Sequence, residues 1–388
     1  KLTTRKSIFR KIDRYAGIPV LFLLSFFAGR KELTAVKGVP KNILIIKFAA
    51  IGDTILLTTT LRILKKNFPD SKIYFLCSDI NYKVVKNIKY VDEILNEDVH
   101  GFLKNPFKAI ELIKKLRSLD FDVVIDAEQW SRISSILCLL TRKKTSIGFD
   151  TEKQFRNRAY DILVKHSREK HELEVFTDLL KPLNVNIETE DIFLEYPGVF
   201  EIDREFIDNF LIENKLTGKQ IVCFQPGSGV SGAAREWKSE NFIQLGKKIM
   251  QNFPDTAIVL TGAPNDRERC EFIADSINEK SISIAGKFPF EKELQIIKKS
   301  EFLVCCNTGI LHIAASIGVR TIALHGPHNS KKWGAYDDKS VVVQSDIFCS
   351  PCLYLGHDFG CSKPQCMDRI TIDDVFEKVM FLKKKKDL

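Results

Sequence analysis

No stretch of this chain is long and apolar enough to cross a bilayer. The one strongly apolar run, Ala16–Gly29 (AGIPVLFLLSFFAG), has fourteen residues, and a spanning helix needs about twenty. No short-period repeat or low-complexity tract occurs before the closing Lys383–Lys386, which reads as a solvated basic tail, so a repeat array is excluded. A disulfide framework is also missing. The ten cysteines are scattered, and Cys77, Cys223, Cys305 and Cys306 fall inside predicted buried strands, a usage that fits a reducing compartment.

What is present is an ordinary globular composition, 44% apolar and 28% charged over 388 residues. That length exceeds one hydrophobic core and predicts two domains. The formal net charge of +9 favours anionic partners such as phosphates, nucleotides or an acidic membrane face, without choosing among them. Lys1–Arg14 holds six basic residues against Asp13 alone, directly before the apolar run. A basic segment followed by a short apolar one resembles a signal peptide, but no small-x-small cleavage site follows. Two readings remain: a helix packed on the domain, or an interfacial anchor. The second would put Leu21, Phe22, Leu23, Leu24, Phe26 and Phe27 in the acyl boundary and basic residues on lipid phosphates. The expectation taken forward is membrane association.

The organising stretch is Asn42–Lys65. An apolar run of the kind buried on both faces of a parallel sheet breaks at Ala49-Ala50-Ile51-Gly52-Asp53, and helical spacing follows at Ile55, Leu56, Leu61 and Leu64. Asp53 then either caps the helix or presents its carboxylate at the sheet edge where open α/β proteins bind ligands. Strands predicted at Lys72–Cys77, Val123–Asp126 and Thr145–Phe149 alternate with helices, and a second series begins at Ile221–Phe224. The pattern predicts two Rossmann-like, doubly wound α/β domains with a hinge near 196–219. Gly227–Gly232 matches G-x-G-x-x-G, but no helix starts within it and the next strand ends in Thr261 rather than an acid. It is a weak dinucleotide site, better read as a loop whose N–H groups approach a phosphate, with Arg235 and Lys238 supplying charge.

Several separated motifs occur in one order. They are Ile45-Ile46-Lys47 through Gly52-Asp53, Pro226-Gly227-Ser228 with Trp237-Lys238, Asn307-Thr308-Gly309 through His312, and Gly326-Pro327. Together they resemble glycosyltransferase family 9, the lipopolysaccharide heptosyltransferase family, from about residue 41 to 380. The resemblance implies a GT-B architecture, with an acceptor domain over 41–200 and a nucleotide-sugar domain over 215–380, and it leaves the 1–40 extension outside. It implies Asp53 as catalytic base and Gly227, Ser228, Gly229, Lys238, Asp266, Asn307, Thr308, Gly309 and His312 around the donor. Gly52 and Glu128 are expected on the acceptor side. Alternatives stay open: Asp266 as a helix cap, His312 and Trp237 as packing residues, Lys238 as a solvated charge, His171 as structural.

Two departures stand out. Asn307 occupies a position where many members have Asp, and Thr60 one where proline is common. Cys349, Cys352, Cys361 and Cys366 form C-x-x-C with two further thiols, a spacing suited to a structural zinc or iron; otherwise they are loop thiols that never meet. No cofactor is expected for catalysis. The expected function is inverting transfer of heptose from ADP-heptose to a lipid-linked saccharide, without nucleic acid, at the cytoplasmic face of the inner membrane. Competing readings are transfer to an autotransporter protein hydroxyl, a nucleotide-binding scaffold without turnover, and a nicotinamide dehydrogenase.

Overall fold

The computed structural model describes residues 10–29, 31–99, 101–103, 105–196, 202–229, 232–355, 361 and 365–384. The chain divides into two compact units, Lys1–Gly198 and Val199–Leu388. The first is built on β1 (Asn42–Ile46), β2 (Lys72–Cys77), β3 (Glu93–Asn96), β4 (Phe121–Asp126), β5 (Lys143–Asp150) and β6 (Ile162–Lys165), in the order β3-β2-β1-β4-β5-β6. All neighbours are parallel. Ile43–Ile46 are buried at every position, as expected for a central strand covered on both faces.

The helices of this unit include α1 (Gly17–Phe27), α2 (Ile51–Asn67), α3 (Asp79–Val85), α4 (Pro106–Ser118), α5 (Arg132–Leu140) and α6 (Glu172–Asp178). The apolar N-terminal segment is helical and packs on the unit. Asp13 is buried, and its Oδ1 accepts from the N–H groups of Arg132 and Ile133, both at 2.9 Å. Ser131, at the N-cap of α5, makes no side-chain cap bond. Asp13 therefore satisfies the orphan donors of α5 from outside and adds a negative charge at its positive end. Gly17 permits the close approach, since a Cβ there would stand 2.9 Å from the Arg132 Cβ. Leu21 completes the seam inside the first unit's hydrophobic core.

The second unit repeats the plan. Strands β7 (Gln220–Gln225), β8 (Thr256–Leu260), β9 (Ser281–Ser283), β10 (Phe302–Cys306), β11 (Arg320–His325) and β12 (Val341–Gln344) run parallel in the order β12-β11-β10-β7-β8-β9. With them go α7 (Arg204–Glu213), α8 (Ser239–Asn252), α9 (Arg267–Ile277), α10 (Phe290–Lys299), α11 (Gly309–Ser316), α12 (Ser330–Trp333) and α13 (Ile372–Lys384). Counted from its own first strand, each sheet has the order 3-2-1-4-5-6. The winding reverses between β1 and β4, and again between β7 and β10. Doubly wound folds bind ligands beyond the carboxyl ends of those strands.

Asp120-Phe121-Asp122 lies at the opposite, amino end of β4. Asp122 accepts from the N–H groups of Lys41 and Asn42 and pairs with Lys144, so it fastens the start of the sheet.

Candidate active site

Directly after β1, Lys47 is fully buried. Its Nζ donates to Asp53 Oδ2 at 3.0 Å, Gln129 Oε1 at 2.9 Å and Glu128 Oε2 at 3.3 Å. Burial pulls the Lys47 pKa down, but the Asp53 and Glu128 carboxylates outweigh it and hold the ammonium above its ordinary value. Asp53 is not the helix cap. That position is Ala50, without a side-chain bond, and Asp53 lies in the first turn of α2. Its Oδ2 accepts from Lys47 and from Gln129 Nε2, both at 3.0 Å. Among the described residues Oδ1 has no partner, and the side chain stays 19% exposed. One oxygen is fixed and the other is available.

Gln129 is the junction of this network. Its Nε2 also donates to Glu172 Oε1 at 3.0 Å, and the same oxygen meets His166 Nε2 at 2.9 Å. His166 and Glu172 are wholly buried. His171 serves as the N-cap of α6, accepting from the Leu173 N–H. Glu128 differs from its expected role at acceptor hydroxyls. It is completely buried, its Oε1 takes the N–H groups of Phe48 and Ala49 at 2.7 and 2.9 Å, and its Oε2 takes Lys47. Burial pushes its pKa up against the pull of Lys47. Glu128 shapes the turn that carries Gly52, itself buried, and Asp53.

A second buried layer braces the loop after β4. Asp126 Oδ1 accepts from the Glu128 N–H at 3.0 Å, and Oδ2 accepts from Arg156 Nη2 at 2.7 Å and Tyr160 Oη at 2.6 Å. Arg156 also donates to the Glu128 carbonyl and to Ser135 Oγ. Removing one member of such a pair leaves an uncompensated buried charge. None of Gln129, Glu172, His166, Arg156 or Tyr160 was identified as functional from sequence. The one usable signal was the polar run Asp126-Ala127-Glu128-Gln129 at a strand end.

In the second unit, Pro226–Gly229 follows β7, with Gly229 at φ 73°, a conformation natural to glycine. A Cβ on Gly227 would stand 2.6 Å from the Asp266 carboxylate, so the two expected donor residues are in contact. Ser228 donates its N–H (3.3 Å) and Oγ (2.8 Å) to Glu236 Oε1, and Glu236 Oε2 holds Arg269 Nη1 at 2.7 Å. Thr308 Oγ1 donates to Gln225 Oε1 at 3.4 Å, and Arg235 Nη1 to the Asn307 carbonyl at 3.3 Å. The loops after neighbouring strands β7 and β10 are thus laced together. No side chain caps α11, whose first N–H groups at Gly309 onward form an anion-binding end. Asp266 accepts from the Ala263 N–H at 3.0 Å, and burial pushes its pKa up.

Three of the expected donor-side residues, Lys238, Asn307 and His312, have structural partners or burial of their own. Lys238 Nζ pairs with Asp368 at 2.9 Å in a largely exposed bridge; that hydrogen bond raises its pKa, and a pair this exposed yields readily to a competing phosphate. The Asn307 side chain is buried and turned to structure: Nδ2 donates to His325 Nδ1 at 3.2 Å and to the Trp333 carbonyl at 3.0 Å. Burial pulls the His325 pKa down to about 4, so the neutral ring accepts. An aspartate there would set carboxylate oxygens against the Trp333 carbonyl, which accounts for asparagine at this position. His312 is buried within α11, and Trp237 is a core residue whose Nε1–H donates to the Ile370 carbonyl.

The expected metal at the cysteines finds no support among the described residues. Cys349, Cys352 and Cys361 are exposed while Cys366 is buried. Among the described residues no group of three or more His, Cys, Asp or Glu could hold a metal ion. Cys366 lies among the buried residues of the second unit's core.

The model of the family described as glycosyltransferase family 9 (heptosyltransferase) matches residues 109–362. Lipooligosaccharide heptosyltransferase 2 of Campylobacter jejuni is 21% identical over 344 residues, covering 87% of this chain and 97% of that protein. Among solved structures, a glycosyl transferase family 9 protein from Veillonella parvula superposes with TM-score 0.71 at 21% identity, over 88% of this chain and 97% of that one. The E. coli heptosyltransferase WaaC with ADP superposes with TM-score 0.68 at 18% identity, covering 88% and 99%. The two structural likenesses bear on fold alone.

Proposed function

The chain belongs to glycosyltransferase family 9, and we propose from that premise that it transfers heptose from ADP-heptose, with inversion, onto a lipid-linked saccharide such as the lipopolysaccharide inner core. The sugar and acceptor rest on relatives described as lipooligosaccharide and lipopolysaccharide heptosyltransferases, and the nucleotide on a fold neighbour solved with ADP.

The observation that carries the reading is the Asp53 carboxylate, with Oδ2 fixed by Lys47 and Gln129 and Oδ1 unclaimed among the described residues. The acceptor oxygen attacks the anomeric carbon as the bond to the diphosphate breaks. The hydroxyl proton goes to Asp53 and the electron pair leaves with ADP. A carboxylate is a weak base, so the proton moves late, after the acceptor oxygen has gained positive character. Lys47 and Gln129 hold the carboxylate in place. The charge developing on the diphosphate meets the Ser228–Gly229 loop, the amino end of α11, Arg235, and Lys238 once released from Asp368. Asp266 is assigned to the ribose. This inventory supports transfer driven by the chain's own cations and N–H groups. The reading includes a cytoplasmic location, supported by ten unpaired thiols.

The test is calorimetric titration with ADP, UDP, GDP and NADH, followed by an ADP-heptose assay on core acceptors. Selective ADP binding and a heptosylated product are expected. Selective UDP or GDP binding would remove heptose from the reading.

A further inference from the structure

α1 solves only half of its own solvation problem. Gly17 and Leu21 of α1, with Asp13 one turn before it, stand four residues apart and form the seam against the protein, as i, i+4, i+8 spacing dictates on helical backbone. On the outer side Tyr15, Val20, Phe22, Leu23, Phe26 and Phe27 are between 42% and 84% exposed. No charged residue occurs from Tyr15 to Gly29, so the helix is apolar on every side. A helix of that kind needs an apolar environment all round, and the protein supplies one face.

Charge gathers at both ends of this apolar cylinder. Lys11 and Arg14 are exposed before it and Lys31 after it, and the Arg158 guanidinium lies 4.7 Å from the Phe22 ring centroid. Residues 1–40 carry nine Lys and Arg against two acids, so seven of the chain's nine net positive charges lie there. At 1.5 Å per residue, eleven residues reach about 16 Å, half of a hydrocarbon core of about 30 Å. No described helix is long and apolar enough to cross a membrane. A short apolar face with basic residues at both ends fits a helix lying flat in an interface.

We propose that the outer face of Gly17–Phe27 lies in the headgroup–acyl boundary of an anionic lipid surface, with the flanking Lys and Arg on lipid phosphates. The opposite face is bonded to α5 through Asp13, so the first unit is attached to that surface rigidly rather than by a tether. The inference does not depend on the transfer chemistry.

The experiment is co-sedimentation of the full chain with phosphatidylcholine vesicles, with and without phosphatidylglycerol. The chain should bind the anionic vesicles, and binding should fall as salt rises. Leu23→Ser/Phe26→Ser/Phe27→Ser should reduce binding at least about tenfold, because each side chain leaves the acyl region. The affinity for ADP should stay unchanged, which reports an intact second unit, and unaltered far-UV dichroism reports the first. Lys11→Gln/Arg14→Gln should lower binding to the anionic vesicles only. Wild-type protein that stays in the supernatant overturns the proposal, and so does a triple variant that binds vesicles as the wild type does. A solution dimer that the triple variant dissociates, with vesicle binding unaltered, would assign the face to a second copy instead. Failure of ADP to bind would count against the donor reading and leave the vesicle result standing.

Discussion

At the scale of single residues, the site depends on which carboxylate keeps an oxygen available. Glu128 and Glu172 are fully buried, Glu128 with both oxygens occupied by partners; Asp53 keeps one oxygen without a partner among the described residues. Asp53→Asn should lower kcat by about 10²- to 10⁴-fold, the usual contribution of a positioned base, and leave the ADP dissociation constant unaltered in calorimetry. Retained turnover would remove Asp53 from catalysis. Gln129→Glu is the sharper probe of the network. It puts a further acid beside Asp53 and Glu172, and nearby negative charge disfavours ionisation. The acid limb of the kcat/KM profile should therefore move to higher pH while donor affinity holds; an unmoved limb would make Gln129 a packing residue. Asp53 could be read from the sequence because strand, turn and acid lie within a dozen positions. Gln129 could not, since it reaches Asp53 across 76 residues and Glu172 across 43.

At the scale of elements, central strands were legible, and of the four edge strands only β9 was, read at 281–285. β1 after Asn42, and β10 along its whole length, are apolar and buried, so their pattern declares them. β3, β6 and β12 each have four residues and include Glu, Lys or Gln, and they pair with one neighbour apiece. Their stability comes from docking on a finished sheet, which no local propensity encodes. The same holds for Gly148 on β5, whose Cβ would stand 2.4 to 2.5 Å from the Tyr160 ring. Gly148→Ala should destabilise the first unit by about 1–3 kcal/mol, the ordinary cost of overpacking, read by urea unfolding. It should also lower kcat, since Tyr160 holds Asp126. At the end of β11, His325 gives the second unit an acid weakness. Its pKa falls from 6.5 to about 4 on folding, chiefly through burial. Between those values the unfolded state binds more protons, so stability rises with pH through that window and is lost on acidification. The loss should reach roughly 3 kcal/mol near pH 4, followed through Trp237 and Trp333 fluorescence in a Trp130→Phe background. A flat profile between pH 6.5 and 4 would contradict the neutral, buried imidazole.

At the scale of the whole molecule, charge and chemistry are divided between the units. Residues 1–198 carry 34 Lys and Arg against 25 Asp and Glu, whereas residues 199–388 carry 25 of each. The unit expected to bind an anionic nucleotide sugar is therefore neutral overall, and it must attract the diphosphate locally, through the α11 amino end, Arg235 and Lys238. Short-range contacts of that kind are screened little by salt, whereas attraction between a basic segment and a lipid surface is screened strongly. The affinity for ADP should accordingly change little between low and physiological ionic strength, while vesicle binding falls steeply over the same range. Arg235→Ala removes one charge-assisted hydrogen bond and should weaken ADP about tenfold or more. Asp368→Asn, by releasing Lys238 from its bridge, should tighten ADP if that ammonium serves the diphosphate. An ADP affinity that collapses with salt, or is indifferent to both substitutions, would mean that the nucleotide is held by long-range charge elsewhere on the chain and not by the loops after β7 and β10.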